Sequence, residues 1–589
     1  MREMNIVMKS KVLMALICQF FLRLFAASNA AAQPIDLASE GWRFKEGDDT
    51  TWATPQYDDA QWLNISVGKT WEVQFSNAYD GIAWYRRGFT IPKQLKKATK
   101  KSGAMILKLG MIDDADETFF NGVKIGATGK FPPDQESAYN VSRIYTVPYN
   151  LIRWNEPNVV AVRVADWAGN GGLYAGEYTL EPICWKEKFK ILVEYGTPTN
   201  AFAAGEPVLI TPQFVNNSDD VLKGVLTTEI KKFTGESVAI QQQDLKIARG
   251  QVSKGENCLF DIKEAGFYIA NLTFKDENGY TVREKKGFAV APEDFKPAPT
   301  RPIDFDDYWQ KTKEELSKIA PDYRLTPLPK HSNDKVEVFE VAFHSLGNAL
   351  VRGYYTRPKQ KSNVPALLHV QGYSSVMEPW ELDTQIAGFF LNIRGHGNSK
   401  DDVNPGFPGY LESGIDNKET YIYRGAYMDC IRAIDFLCSQ PEIDTARLAV
   451  EGGSQGGALS VATASLDKRI KFCLPDVPFL ANFRLYFDIA AWPANEFKSL
   501  NKKGKSWDEI YGVLDYIDVM NHAPNITVPT FMGVGLFDDI CPPAINFSMY
   551  NNLGTTDKSY ILYPQAGHSL PSAHHEKKMA WLRPRFGLD

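Results

Sequence analysis

The chain has 589 residues, more than one hydrophobic core usually serves, and at ~150 residues per domain it predicts about four domains. With 44% hydrophobic and 23% charged residues it has the composition of an ordinary globular protein, neither disordered nor fibrous. Its 65 Lys and Arg against 71 Asp and Glu leave a net charge of −6, so no basic excess exists to neutralise phosphates and no nucleic-acid partner is expected.

Residues 1–33 read as a signal peptide. Arg2, Lys9 and Lys11 make a positive start, an apolar run follows from Val12 to Phe25, and Ser28-Asn29-Ala30 and Ala30-Ala31-Ala32 offer small-x-small cleavage sites. Arg23 interrupts the run and leaves it short of the ~20 apolar residues of a spanning helix. The expectation is an exported protein, periplasmic or extracellular, with no membrane span after cleavage. Cys18 lacks the small preceding residue that lipid attachment requires. The other six cysteines are scattered from Cys184 to Cys541 without a CxxC pair, which argues against a disulfide scaffold, a structural zinc site or a redox motif. Cys430 and Cys438, eight apart on a predicted helix and about 12 Å along its axis, lie beyond disulfide reach.

Residues 34–185 alternate apolar and polar positions between frequent turns, predicting a β-sandwich. Trp42, Trp52, Trp62, Trp71, Trp84 and Trp167 fall there; such rings stack on sugars or, more commonly, fill a core. Residues 186–291 alternate likewise and suggest an immunoglobulin-like sandwich acting as a spacer. Pro292, Pro297, Pro299 and Pro302 then mark 292–302 as a stiff linker. Across 303–589 strands such as Val364-Pro-Ala-Leu-Leu-His-Val370 alternate with helices, and Tyr427, Cys430, Ile431, Ile434 and Leu437 form one apolar helical face. That pattern predicts a mostly parallel sheet with helices on both faces.

All eight histidines lie beyond residue 330, so any histidine base belongs to this third domain. Its strand Arg447-Leu-Ala-Val450 runs into Glu451-Gly452-Gly453-Ser454-Gln455-Gly456-Gly457 and then a small-residue helix. This is a G-x-S-x-G nucleophile elbow in the strand-turn-helix context that the motif requires. A serine hydroxyl needs a base oriented by a third group, and in this fold the chain order is Ser, acid, His. Asp538 and His568 follow successive predicted strands and fit as acid and base, with Asp539 the alternative acid and Asp476 a weaker one. One oxyanion donor is expected from the Gln455 amide and a second from the Gln371-Gly372-Tyr373 loop, with Gly372 permitting close backbone approach. His396 reads as structural, His369 as a core residue, and His574 and His575 as solvated positions on the last helix. No metal site and no cofactor are expected.

Two resemblances add to this reading. Gly81-Ile-Ala-Trp84-Tyr85-Arg86-Arg87, the stretch from Asp113 through Asp116 to Asn121-Gly122, and Val162 to Asp166 resemble the sugar-binding jelly-roll domain of family two glycoside hydrolases. From about Phe305 onward the chain resembles the acetyl xylan esterase and cephalosporin-C deacetylase family, carbohydrate esterases of family seven with an α/β-hydrolase fold. The matching stretches include Phe305-Asp-Asp-Tyr-Trp309, Gly372-Tyr373, Tyr421 to Asp429, Gly452-Gly-Ser-Gln-Gly-Gly457, Phe479-Leu-Ala-Asn-Phe483, Gly535-Leu-Phe-Asp538 and Cys541-Pro-Pro. The resemblance implies an acyl-serine mechanism with Ser454, Asp538 and His568 as triad, Tyr373 and Gln455 amides as oxyanion donors, acetylated sugars as substrates, and a homo-oligomer. Two positions depart from the family: His396 stands in its Arg-Gly-Gln, and Ser569 replaces the Glu after the catalytic His. The sequence therefore points to an exported serine esterase acting on acetylated, xylan-derived oligosaccharides. An α/β-hydrolase peptidase and a non-catalytic carbohydrate-binding protein are the competing readings.

Overall fold

In the computed structural model of the protein, residues 34–588 are described apart from 76–78, 168–170, 184–187, 219, 278, 360–361, 380–381, 408 and 503. The leader expected over 1–33 lies outside the described residues. The alternating N-terminal segments pair into two antiparallel sheets, one of six strands and one of four. Trp42, Tyr85 and Val162 from the first meet Leu107, Val147 and Leu180 from the second in one core. Trp42, Trp52, Trp62, Trp71 and Trp84 are all buried, so their rings pack this sandwich and are not free to stack on sugar.

A second two-sheet unit follows. A short sheet built on Phe189–Tyr195, Val208–Asn216 and Gln251–Lys254 faces a five-stranded sheet that includes Gly266–Asp276 and Thr281–Val290. Side chains alternate across the latter pair: Tyr268, Phe288 and Val290 enter the unit's own core, while Phe267 and Ala289 join the core of the third domain. The unit is therefore packed on its neighbour rather than held away as a spacer. The segment 292–302 is fastened too: Asn551 Nδ2 donates to the carbonyls of Pro292 and Phe295 at 2.8 and 2.7 Å, and Asn552 Nδ2 to that of Pro297 at 2.9 Å.

The third domain is a nine-stranded sheet. In chain order its strands are β1 (Arg324–Pro327), β2 (Val336–His344), β3 (Leu350–Pro358), β4 (Val364–Val370), β5 (Ala387–Asn392), β6 (Ile443–Gly453), β7 (Phe472–Asp476), β8 (Thr530–Gly535) and β9 (Lys558–Tyr563). Their spatial order is β1-β2-β3-β5-β4-β6-β7-β8-β9. The six strands from β5 to β9 are parallel and the three at the other edge antiparallel, as a doubly covered sheet predicts. Adjacent residues face opposite layers: Leu368 and Val450 pack with the helices α1 (Ile422–Ser439) and α2 (Gln455–Leu466), while Leu367 and Ala449 meet Leu582 and Phe586 at the C-terminal helix α3 (Ala573–Arg585). Helix α1 is buried nearly all round, not on one face only. Its polar positions permit this because each is answered: Arg424 by Glu315 and Glu419, Asp429 by Arg394, and Arg432 by the carbonyls of Leu316 and Ile319.

Under the carboxyl ends of the parallel strands lies a buried ionic cluster. Lys578 Nζ from α3 sits 2.6 Å from Glu451 Oε2 on β6 and 2.9 Å from Asp476 Oδ2 on β7. His369 on β4 pairs with Glu451 at 2.6 Å and His574 with Asp476 at 2.8 Å, while the Gly533 amide on β8 donates to Asp476 at 2.9 Å. His574, expected to be solvated, is thus a buried strut, and Asp476 is consumed in the cluster. Burial alone would raise both carboxyls, but Lys578 and then the imidazoles pull them below their usual range. Burial would lower Lys578, and Asp476 and Glu451 hold it above its ordinary value. Depressed carboxylates give stability that is lost as pH falls below about 4; a raised ammonium gives stability that is lost only above about 10. Lys578→Met should therefore lower unfolding free energy by ~3–5 kcal/mol at pH 7 in urea titrations, the gap to the parent protein narrowing below pH 4. A loss under ~1 kcal/mol at pH 7 would contradict the cluster's role.

Candidate active site

The four segments singled out in the sequence all leave the sheet at its carboxyl edge, where α/β folds place their sites: β4 into Gln371-Gly372-Tyr373, β6 into Ser454, β8 into Asp538 and β9 into His568. Ser454 sits between β6 and α2 at φ 59°, ψ −119°, a left-handed strain that a non-glycine residue adopts only where its surroundings impose it. They do so here, since the Ser454 amide donates to Asp476 O at 3.0 Å and its carbonyl accepts from Phe479 N at 3.0 Å. A Cβ on Gly456 would come within 2.2 Å of Val370 O, so glycine at that position lets the elbow abut the end of β4.

Asp538 is fully buried and its two carboxylate oxygens have separate tasks. Oδ1 accepts from the amides of Ile540 and Cys541 at 2.9 and 2.8 Å, which fixes the loop; Oδ2 lies 2.9 Å from His568 Nδ1. Asp539 beside it is exposed, so of the adjacent pair it is Asp538 that meets the imidazole. With Nδ1–H committed to the carboxylate, the lone pair of a neutral His568 is at Nε2. In the same loop the buried Cys541 thiol lies 3.6 Å from Tyr486 Oη. Among the described residues no hydrogen bond runs directly from Ser454 to His568. The structure joins Asp538 to His568.

Gln455, the first residue of α2, has no intrahelical acceptor for its amide. Its side chain is a hub: Oε1 accepts from Tyr423 Oη at 2.8 Å, and Nε2 reaches His396 Nε2 at 3.2 Å and Gly372 O at 3.4 Å. Burial pushes His396 down to about 4, so its neutral Nε2 accepts from the Gln455 amide group. Arg394, paired with Asp429 through contacts of 2.7 and 2.9 Å, anchors the turn that carries His396. His396 thus braces the Gln455 side chain beside the Gly372 carbonyl. The expected need for glycine at 372 is not found, because a Cβ there would meet nothing nearer than Ser375 Oγ at 3.6 Å.

Sequence reasoning missed the wall of the site. The Tyr373 ring packs against Phe407, Trp492 and Tyr410 at centroid distances of 4.9, 5.3 and 6.2 Å, and Trp492 stacks on Phe479 at 5.0 Å. Trp492 Nε1 donates to Glu496 Oε1 at 2.6 Å. A half-buried tryptophan next to proline carries no periodic signal by which to find it. Also missed was a group of ligand type in the first sandwich, Asp113, Asp114 and Asp166, whose carboxylate oxygens converge within 4.8 Å. Burial, then Asp114 and Asp166, push Asp113 up to about 7.

The sequence profile of the family described as acetyl xylan esterase (AXE1) matches residues 292–584. The acetyl esterase Axe7A of Xylanibacter ruminicola is 30% identical over 336 residues, covering 55% of this chain and 75% of that protein. The β-galactosidase BoGH2A of Bacteroides ovatus is 25% identical over 153 residues, 23% of this chain and 16% of its own length. Among solved structures, the acetyl xylan esterase from Paenibacillus sp. R4 aligns at 32% identity over 50% of this chain and 98% of its own, with a TM-score of 0.48. The geometry makes one immediate expectation. Burial raises the Cys541 thiol well above its ordinary value, so at pH 8 it should resist a maleimide in the folded protein and react only on unfolding, by peptide mass mapping. Rapid native labelling at Cys541 would contradict its burial.

Proposed function

The chain belongs to the acetyl xylan esterase family and is a carboxylic ester hydrolase, and from that premise we propose that it is an exported serine esterase which removes acetyl groups from xylan-derived oligosaccharides through an acetyl-serine intermediate. The observation that carries the reading is the 2.9 Å contact of Asp538 Oδ2 with His568 Nδ1 beside a strained elbow serine. In this reading Ser454 Oγ attacks the acetyl carbonyl while His568 Nε2 takes its proton, and Asp538 holds the imidazole in the tautomer that can do so. The amides of Gln455 and Tyr373 receive the oxyanion, each such donor typically supplying ~10²–10³ in rate. The same imidazole then returns the proton to the departing sugar oxygen, and water resolves the acetyl-enzyme by the reverse sequence. The chemistry requires no metal and no organic cofactor.

The leader-like residues 1–33 support export, which brings the enzyme to acetylated polymer outside the cytoplasm. We read the first sandwich as a jelly roll and the second as an immunoglobulin-like unit, with boundaries near residues 185 and 291. The BoGH2A likeness supports a carbohydrate-handling ancestry for part of the chain. A homo-oligomer accords with the family.

Ser454→Ala should abolish hydrolysis of p-nitrophenyl acetate and acetate release from acetylated xylo-oligosaccharides while the fold persists by circular dichroism; appreciable residual turnover would sink the nucleophile assignment. Asp538→Asn should cost about 10⁴ in kcat, whereas Asp539→Asn should stay within about twofold. Blocked peptides should not be turned over, and their hydrolysis at rates rivalling the esters would favour a peptidase instead.

A further inference from the structure

Strand Thr281–Val290 of the second sandwich presents Gly287 and Ala289 outward. At Gly287 the contact is backbone on backbone: a Cβ there would stand 2.4 Å from Leu536 O and 3.1 Å from Leu536 C. This glycine lies inside a strand, at no turn and without a positive φ, where it weakens pairing and packs no side chain. Its place is explained by the close approach of another backbone. Leu536 precedes Asp538 by two residues. One position earlier on the strand, Lys286 Nζ donates to Gln565 Oε1 at 3.1 Å, three residues before His568, while also pairing with Glu284 at 3.1 Å.

The two loops touched in this way are laced to each other. Leu536 N donates to Tyr563 O at 3.1 Å and Phe537 N to Ala566 O at 3.0 Å, and a Cβ on Gly535 would fall 2.2 Å from Gly567 O. Behind the contact stands an apolar dock that keeps the sandwich seated, with the Phe267 ring 5.0 Å from Phe547 and 5.7 Å from Phe295, and Tyr560 Oη donating to Glu293 at 3.0 Å. Pressure on Leu536 is therefore pressure on the Asp538–His568 pair, and it comes from outside the hydrolase sheet.

We infer that strand Thr281–Val290 of the second sandwich is a built-in buttress of the active site, with Gly287 and Lys286 acting as positioning residues that set the Asp538 and His568 loops relative to Ser454. The inference rests on the triad proposed above. A side chain at 287 pushes the Leu536 backbone outward, and a shift of about 1 Å at a catalytic group can cost ~10²-fold in rate. Such a shift acts on the chemical step rather than on acetyl-group binding, because neither residue touches the Tyr373–Trp492 wall.

The test uses full-length protein and p-nitrophenyl acetate. Gly287→Val should lower kcat by ~10²-fold with KM within about twofold and a single cooperative melt retained, and Gly287→Ala should fall between it and the parent. Lys286→Met should lower kcat about three- to tenfold and Lys286→Arg should restore it, since only the latter keeps the donor to Gln565. Val252→Ala, on an exposed strand of the opposite sheet of the same sandwich, should change nothing. Unchanged kcat in Gly287→Val, or a loss carried entirely by KM, overturns the inference. Should Gly287→Val fail to fold, the Lys286 pair decides: equal kcat in Lys286→Met and the parent overturns it. An inactive Ser454→Ala beside a fully active Gly287→Val refutes the buttress and leaves the triad standing, whereas an active Ser454→Ala removes the triad itself.

Discussion

One buried ammonium group organises the hydrolase domain. Lys578 reaches from the C-terminal helix to carboxylates on two adjacent parallel strands, and each carboxylate is further tied to an imidazole. Desolvating three charges is unfavourable unless their mutual geometry is good, so the cluster tolerates little slippage between the helix and the strands. Glu451 stands three residues before Ser454, and the carbonyl of Asp476 holds the Ser454 amide. The register fixed by Lys578 is thereby passed directly to Ser454. The strained dihedrals at Ser454 persist because the strands beneath cannot relax.

Above that floor the site is assembled from hydrogen bonds that divide labour within single side chains. Asp538 spends one oxygen on its own loop and the other on His568. Gln455 places its backbone amide at the helix start while its side chain braces both His396 and the Gly372 carbonyl. His396 can take part in this brace because burial keeps its imidazole neutral and able to accept. The result is a polar cluster around Ser454 whose groups are held in place by the fold itself.

What could be read in the sequence follows from how local each signal is. Period-two alternation and the Gly-rich elbow are written in contiguous residues, so the sheets and the strand-turn-helix at Ser454 were legible there. The choice of Asp538 over Asp539 was legible only as a preference, since it depends on which of two neighbours turns inward. His574 was misread because its burial is decided by Asp476, 98 residues away in the chain. The all-round burial of Ile422–Ser439 was hidden for a similar reason: Arg424, Asp429 and Arg432 look like a solvated face until Glu315, Arg394 and two carbonyls are brought to them. Gly372 was given a steric duty that the adjoining backbone never demands, and the seating of the second sandwich left no mark in composition at all.

The asparagines at 551 and 552 bear on how such a chain can be recombined. They grip the carbonyls of a proline-rich segment that by composition alone would be a hinge between independent modules. With that hinge sewn to the hydrolase, and a strand glycine lying flush against its Leu536 backbone, the second sandwich is not an interchangeable attachment. A gene exchange that brought in a foreign sandwich would have to import this seam with it.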